Sequence, residues 1–339
     1  MNKKLYKWLM WIILITSALV AVSLFSLSVG SASIPINKIP GILTGSKTAT
    51  EYSILFHIRL PRIILGLAIG GALSLAGAIL QGIFRNPLVE PYTLGISGGA
   101  ALGVSLHILL KLANFTGPAG YPLAGSAGSA LVIILLYSLS TKRGILRMQG
   151  LLLTGVMISF ISSSLIMLIM AVSRLENLHS IVFWIMGSLE EPSWTLIRIM
   201  LIISTVGLAA SYFYQKDLNA LILGDEEALH LGVNVESAKR NLLILACVLT
   251  GSSVSLAGII GFVGLVVPHV TRMFIGKDHR VLLIASYLLG GTFLVLCDTL
   301  ARTIIAPMEL PVGVITGILG GGLFVYALTK KKVSAGSVS

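Results

Sequence analysis

Arginines, carboxylates and one Asn-Pro turn are the groups in this chain best able to do chemistry, and they stand in a few tight clusters. Arg59-Leu60-Pro61-Arg62 precedes a glycine-rich apolar run. Arg85-Asn86-Pro87-Leu88-Val89-Glu90-Pro91 follows that run, and Gly95-Ile96-Ser97-Gly98-Gly99 comes next. A span facing only lipid gains nothing from so much glycine or from charges fixed at its ends. A helix packed inside a bundle, with working groups at both mouths, accounts for both, and predicts one subunit of a transport pathway.

A third cluster is Gly224-Asp225-Glu226-Glu227-Ala228-Leu229-His230-Leu231-Gly232. Acidic residues open an apolar-periodic turn and glycine closes it, a start and stop signal for a short helix. Either this segment is a plain solvated loop or Ala228, Leu229 and Leu231 need a partner surface. Asp298 and Arg302 lie one helical turn apart and predict an ion pair, which argues against Asp298 as a proton relay.

Other chemistry is missing from the sequence. No G-x-x-x-x-G-K-[ST] loop occurs, and Gly276-Lys277-Asp278 lacks both the right residue after lysine and a preceding strand. There is no H-E-x-x-H or G-x-S-x-G motif, so no catalytic residue is assigned and no hydrolase is expected. The six histidines are scattered, and no metal site is expected. Cys247 and Cys297 lie in apolar segments and read as packing residues.

These clusters have to be positioned by membrane helices. The 339 residues are 55% hydrophobic and only 11% charged, with a mean hydropathy of +0.96, whereas a soluble domain carries about 25% charged residues. At about 20 apolar residues per span, the chain has room for about ten. The apolar runs are 8–29, 62–83, 93–111, 119–140, 149–171, 193–214, 241–259, 261–276, 281–300 and 311–329. The expected fold is an all-α integral membrane protein forming one transmembrane domain over 1–339.

The net charge of +11 has no stripe or interleaved aromatics of the kind nucleic acid requires. Membrane orientation explains it better. With both termini inside, Lys3, Lys4, Lys7, Arg85, Lys142, Arg143, Arg147, Lys239, Arg272 and Lys330 fall with others on the cytoplasmic side. Lys38, Lys47, Arg59, Arg62 and Arg302 are among those outside, and the bias is about twofold. The N-terminal run is longer than a signal-peptide core before Gly30-Ser31-Ala32, which favours a retained first helix.

Small residues at four-residue spacing, Gly95, Gly99 and Gly103 and again Gly313, Gly317 and Gly321, predict close helix packing, against the plain glycine enrichment of membrane helices. Ser74-Leu75-Ala76-Gly77 recurs as Ser255-Leu256-Ala257-Gly258, five spans later, as an inverted repeat would place it.

Several motifs together resemble the permease subunits of ABC importers for iron–siderophore, haem and cobalamin, the type II class. They are Arg59-Leu60-Pro61-Arg62, Asn86 to Pro91, Gly224 to Gly232 with Val233-Asn234-Val235, Gly261-Phe262-Val263-Gly264-Leu265-Val266-Val267-Pro268-His269, Asp278-His279-Arg280 and Glu309-Leu310-Pro311-Val312-Gly313. The resemblance spans nearly the whole chain. It implies ten helices per subunit and a pathway shared with a second permease copy or a homologous permease. Two ATPase subunits using ATP and Mg, an extracytoplasmic substrate-binding lipoprotein and a bacterial cytoplasmic membrane setting are implied as well.

By the same resemblance, Arg59, Arg62 and Arg302 would pair with glutamates of the binding protein, where anchoring at the lipid interface is the plainer alternative. The segment from about 216 to 240, with Asp225, Glu226, Glu227, Ala228, Leu231 and Gly232, would couple to the ATPase. Asn86 and Leu88 would stand near the cytoplasmic gate, and Arg147-Met148-Gln149-Gly150 at its other side has no clear counterpart. Thr154, Ser159, Ser162 and Ser163 would line the pathway or bond between helices. The expected cargo is a ferric siderophore-type chelate, with haem or cobalamin as alternatives. A self-sufficient secondary transporter would need midplane carboxylates or a broken helix with charged ligands, and the sequence has neither.

Overall fold

The structure is a computed structural model that describes residues 3–30, 41, 50–142, 145–190 and 193–336. Lys38, Lys47, Arg143 and the Ser31-Ala32 pair therefore lie outside the described residues. Thirteen α-helices of six residues or more carry the described chain. They begin with α1 (Lys3–Ser28), α2 (Leu60–Ile83), α3 (Ile96–Leu109), α4 (Gly120–Ser140), α5 (Met148–Val172), α6 (Leu175–Met186) and α7 (Trp194–Phe213). Two short helices follow, α8 (Gln215–Leu221) and α9 (Asp225–His230). The chain continues as α10 (Val235–Ala257), α11 (Val263–Ile275), α12 (His279–Thr303) and α13 (Val312–Gly336).

Among the described residues, seven helical stretches are long and apolar enough to cross a membrane: α1, Thr50–Ile83 containing α2, α4, α5, α7, α10 and α12. Three apolar helices are shorter, namely α3, α11 and Val312–Tyr326 within α13. Together they coincide with the ten predicted spans. One departure from the all-helical expectation is a two-residue antiparallel ladder between α4 and α5, pairing Thr141 with Leu146 and Lys142 with Ile145. Helix α6 is an unpredicted element, too short to have stood out as a span.

Local chemistry sets the helix ends. Pro61 stands in the first turn of α2. Asn234 caps α10 by accepting from the Ser237 N–H at 3.1 Å, and Asp278 caps α12 by accepting from the Arg280 N–H at 3.1 Å. A π-helical stretch, Ile54–Arg59, leads directly into α2.

Helix α2 is the centre of the bundle: nearly all of its residues from Pro61 to Ile83 are buried. It packs against α7, α10, α11 and above all α12. In lipid the hydrophobic effect does little to drive helices together, so van der Waals contact decides. Contact on every side of α2 requires small residues. A Cβ on Gly70 would meet the Gly290 carbonyl carbon of α12 at 2.8 Å, and one on Gly77 would meet the Gly264 Cα of α11 at 2.7 Å.

The predicted glycine stripes resolve into different roles. Gly99 and Gly103 face α4 at Gly128 and Ala124, whereas Gly95 is a left-handed N-cap with φ of 80°. Gly313 abuts the Met186 and Ile259 carbonyls, Gly321 touches the Phe262 ring, and nothing lies within 4 Å of a Cβ on Gly317. The two Ser-Leu-Ala-Gly copies occupy unlike places: Gly77 is inside α2, while Gly258 ends α10 with φ of 71°.

This packing makes a prediction. Gly77→Ala should lower stability by about 1–3 kcal/mol or more, as overpacking does, while Gly317→Ala should leave it unchanged. Thermal unfolding of the purified protein in detergent checks both, and equal midpoints would refute the contact.

Candidate functional site

Two groups of charges stand at opposite ends of α2, whose 24 residues span about 36 Å at 1.5 Å per residue. At the end where α2 begins, Arg62 lies 2.8 Å from Glu309, 3.8 Å from Glu190 and 4.0 Å from Asp298. Arg302 donates from Nε to Asp298 at 3.0 Å, which is the pair its spacing predicts, and from Nη2 to Ser26 Oγ at 2.9 Å. Arg59 donates from Nη1 to the Leu27 carbonyl. All three arginines are buried, at 2% exposure for Arg59, 6% for Arg62 and 4% for Arg302. By resemblance they were expected to meet glutamates of a binding protein, or else the lipid interface. In the structure the end of α1 and the α12–α13 turn supply partners that satisfy them internally, and the carboxylates of Glu190 and Glu309 beside Arg62 are exposed.

At the other end, a cavity of about 770 Å³ is lined by Arg85, Asn86, Arg147, Gln149, Asp225 and Lys239, among others. Arg85 has φ of 51°, and Asn86 Oδ1 accepts from the Leu88 N–H at 2.9 Å, a side-chain turn that fixes the chain reversal. Leu88 is exposed beyond it. Helix α9 sits on the cavity's flank with three carboxylates in its first turn, favourable at a helix N-terminus. Asp225 Oδ2 accepts from the buried Lys239 Nζ, and Asp225 Oδ1 lies 3.7 Å from Arg85 Nη2.

Residues assigned together by sequence separate here. Glu226, Glu227, Leu231 and Gly232 are exposed, and Leu231 is 65% so. Ala228, in contrast, is completely buried inside the chain, so the apolar surface offered outward is made by Leu223, Leu229 and Leu231. On α5, Ser162 is buried against Gly98 of α3, and half-buried Ser159 donates to the Gly155 carbonyl at 3.0 Å. Thr154 is half-buried and Ser163 exposed. The four hydroxyls do not share one face.

Motifs far apart in sequence meet in space. Glu90 Oε1 accepts from the Phe262 N–H at 2.8 Å, and the Tyr92 hydroxyl donates to the Ile260 carbonyl at 2.7 Å. Gln81 donates to the Gly264 and Leu265 carbonyls, each at 3.2 Å, and accepts from Arg272. Asn219 of α8 donates to Asp278 at 3.1 Å and accepts from the His279 N–H at 2.9 Å. Asp278 also pairs with Lys4 of α1 at 3.2 Å. The hydrogen bonds from Arg280, with those from Asn219 and Lys4, hold the Asp278 carboxyl well below the usual carboxylate range.

Sequence reasoning missed Lys239 as a buried partner and counted it as a surface charge. The signal was present, because Lys239 falls on the apolar stripe that Val235, Ala238 and Leu242 bury. Glu90 and Gln81 carried no such signal, since their partners are backbone groups about 170 to 185 residues away. Among the described residues, no group of three or more His, Cys, Asp or Glu side chains is placed to hold a metal ion.

A multi-pass bundle with charge groups at both mouths, one flanked by a short helix showing leucines outward, has the build of a membrane transport subunit. Comparison with known proteins carries the assignment further: the chain belongs to the FecCD transport family, whose sequence profile matches residues 18–330. It is similar to the hemin transport system permease protein HmuU of Yersinia pestis, 41% identical over 83% of this chain and 84% of that one. The Fe(3+) dicitrate transport system permease protein FecD of Escherichia coli is 38% identical over 95% and 98%. A solved inward-facing conformation of a metal-chelate type ABC transporter superposes with a TM-score of 0.84 at 31% identity, covering 94% of this chain and 98% of that chain. The protein is thus a permease of the type II ABC importers of bacteria and archaea, which carry siderophores, haem, cobalamin or other chelates.

The Glu90–Phe262 bond has a testable weight. Glu90→Ala leaves the Phe262 N–H without its acceptor and should destabilise the protein by about 1–3 kcal/mol. Glu90→Gln keeps an acceptor oxygen and should lose less. Detergent unfolding of the two variants reads the difference, and equal losses would remove the hydrogen bond as the cause.

Proposed function

We propose that this chain forms one half of a pathway that imports a ferric siderophore-type chelate, using a second permease, two ATPase subunits and an extracytoplasmic binding lipoprotein. Passage is by alternating access, the two permease halves tipping about their shared interface as the ATPases close on ATP. The observation that carries this reading is the meeting of three parts around one cavity. The Asn86 turn, the start of α5 from Arg147 to Gly150 and helix α9 all border it, so movement of α9 has a short route to the inner mouth. The exposed leucines of α9 and its flanks give an ATPase surface an apolar contact, and Glu226 and Glu227 give it a polar rim.

The cargo follows from chemistry and likeness together. A preformed chelate brings its own ligands, so a wall of hydroxyl and apolar groups is enough to pass it. Hemin and ferric dicitrate, named for the two relatives, are both iron complexes already wrapped in organic ligand. Haem and cobalamin remain the alternatives within the class.

Docking of the binding protein at Arg59, Arg62 and Arg302 acquires a condition from their burial. An incoming glutamate has to exchange with Glu309 and Glu190 for Arg62, in the manner of rim charges that set register and encounter rate.

The deciding experiment is purification of the tagged chain from its native membrane in mild detergent, followed by uptake assays in vesicles. A stoichiometric ATPase with uptake of a radiolabelled ferric siderophore supports the reading. Uptake of haem or cobalamin alone changes the cargo, and repeated purification without any ATPase overturns the assignment of partners. For docking, Glu309→Gln should remove one of the carboxylates that compete for Arg62 and tighten the Kd for the binding protein about two- to fivefold, the scale of a partly exposed pair. Weaker binding would show that Glu309 itself contacts the partner.

A further inference from the structure

We propose that Arg85 and Asp225 form a latch that passes movement of helix α9 to the Asn86 turn, with Arg85 as the positioning residue. This inference rests on α9 being the segment that meets the ATPase. Resemblance assigned α9 and the Asn86 turn separate tasks and supplied nothing to join them, whereas in the structure Arg85, the residue before Asn86, holds its guanidinium 3.7 Å from Asp225 of α9.

The geometry is asymmetric. One oxygen of Asp225, Oδ2, is held by Lys239, whose side chain is almost wholly buried. A buried ammonium keeps its charge only with a close anionic partner, so this contact fixes Asp225 and the first turn of α9 to α10. The other oxygen, Oδ1, has no hydrogen-bond partner and lies 3.7 Å from Arg85 Nη2. That is an ion-pair distance and too long for a hydrogen bond. A displacement of α9 by less than 1 Å would close the gap to a charge-assisted hydrogen bond or open it beyond an ion pair. Arg85 Nη1 also reaches toward Gly224, the residue before α9, lying 3.7 Å from where its Cβ would stand.

On the other side, the Arg85 backbone is not free to absorb such a change. Its N–H donates to the Gly82 carbonyl at 3.2 Å, at the end of α2. The next residue, Asn86, accepts from Leu88 N–H through its side chain and from Val89 N–H at 3.3 Å through its carbonyl. Pulling on Arg85 therefore turns the Asn86–Leu88 segment as a unit. Arg147 and Glu236 line the same cavity and set its remaining charge. Arg85, which directly precedes Asn86, is the residue whose guanidinium faces Asp225 of α9.

The test uses the whole complex as it purifies, with its ATPase, in nanodiscs. A Leu88→Cys reporter is labelled with a polar maleimide, with and without ATP and vanadate; native Cys247 and Cys297 are buried. The expected result is a labelling rate that changes with nucleotide in the reporter chain. Adding Arg85→Gln, which leaves the Lys239–Asp225 contact in place, should abolish that change, and Arg85→Lys should restore part of it. A purely structural role for Arg85 would shift both rates together and keep their ratio, and that result overturns the latch. A full nucleotide response in Arg85→Gln overturns it as well. If the Leu88→Cys complex itself gives no response to nucleotide, the latch and the coupling reading fall together.

Discussion

The close approach of α2 to its neighbours is the constraint on which the rest of the structure depends. Where Gly70 meets Gly290 and Gly77 meets Gly264, backbone lies against backbone, and no side chain separates α2 from α12 or α11. In a bilayer these contacts cannot be replaced by burial from water, because lipid solvates apolar side chains as well as protein does. They hold only while shapes match. The arginines at one end of α2 and the Arg85 turn at the other are placed by this fit, since both are continuous with the same helix.

Around that fit runs a set of polar ties that join segments distant in sequence. Gln81 spans from α2 to the start and the end of α11, Glu90 and Tyr92 fasten the inner turn to the residues before α11, and Asn219 binds α8 to the head of α12. Such bonds add only about 0.5–1.5 kcal/mol net each between neutral groups and about 1.5–3 kcal/mol to a charged one. Their greater effect is to make alternatives costly, because a buried donor that loses its acceptor pays its full desolvation. The same logic governs the outer mouth. Asp298 lies between Arg62 and Arg302, so three buried charges stand or fall as one group.

Much of this was legible in the sequence. Apolar runs and charge bias gave the ten helical segments, because membrane burial writes itself into composition. Acidic residues followed by glycine gave α9, and the four-residue spacing gave the Asp298–Arg302 pair. What stayed hidden depended on which way side chains turn. The partners of the arginines near α2 were not foreseen beyond the Asp298–Arg302 pair, because nothing local announces that Glu309 and Asp298 fold back on Arg62. Ala228 was counted as outward surface because a six-residue helix is too short for its periodicity to separate two faces. Lys239 was counted as a solvated charge although its place on an apolar stripe marked it otherwise. Gly95 and Gly317 fitted a spacing that the packing uses only in part, since a φ of 80° makes one a cap and open space surrounds the other.

The burial of α2 along its length also makes it a stiff lever. A helix hemmed in by four others has little room to bend, so a displacement at one end reaches the other mostly as rotation of the whole rod. Over about 36 Å, a tilt of about 5° carries one end about 3 Å past a fixed point at the other. A movement of that size is enough to break or make any hydrogen bond at either mouth. The two mouths are thus mechanically geared through a single element, and a change of partner at one of them is felt at the other without any contact running between.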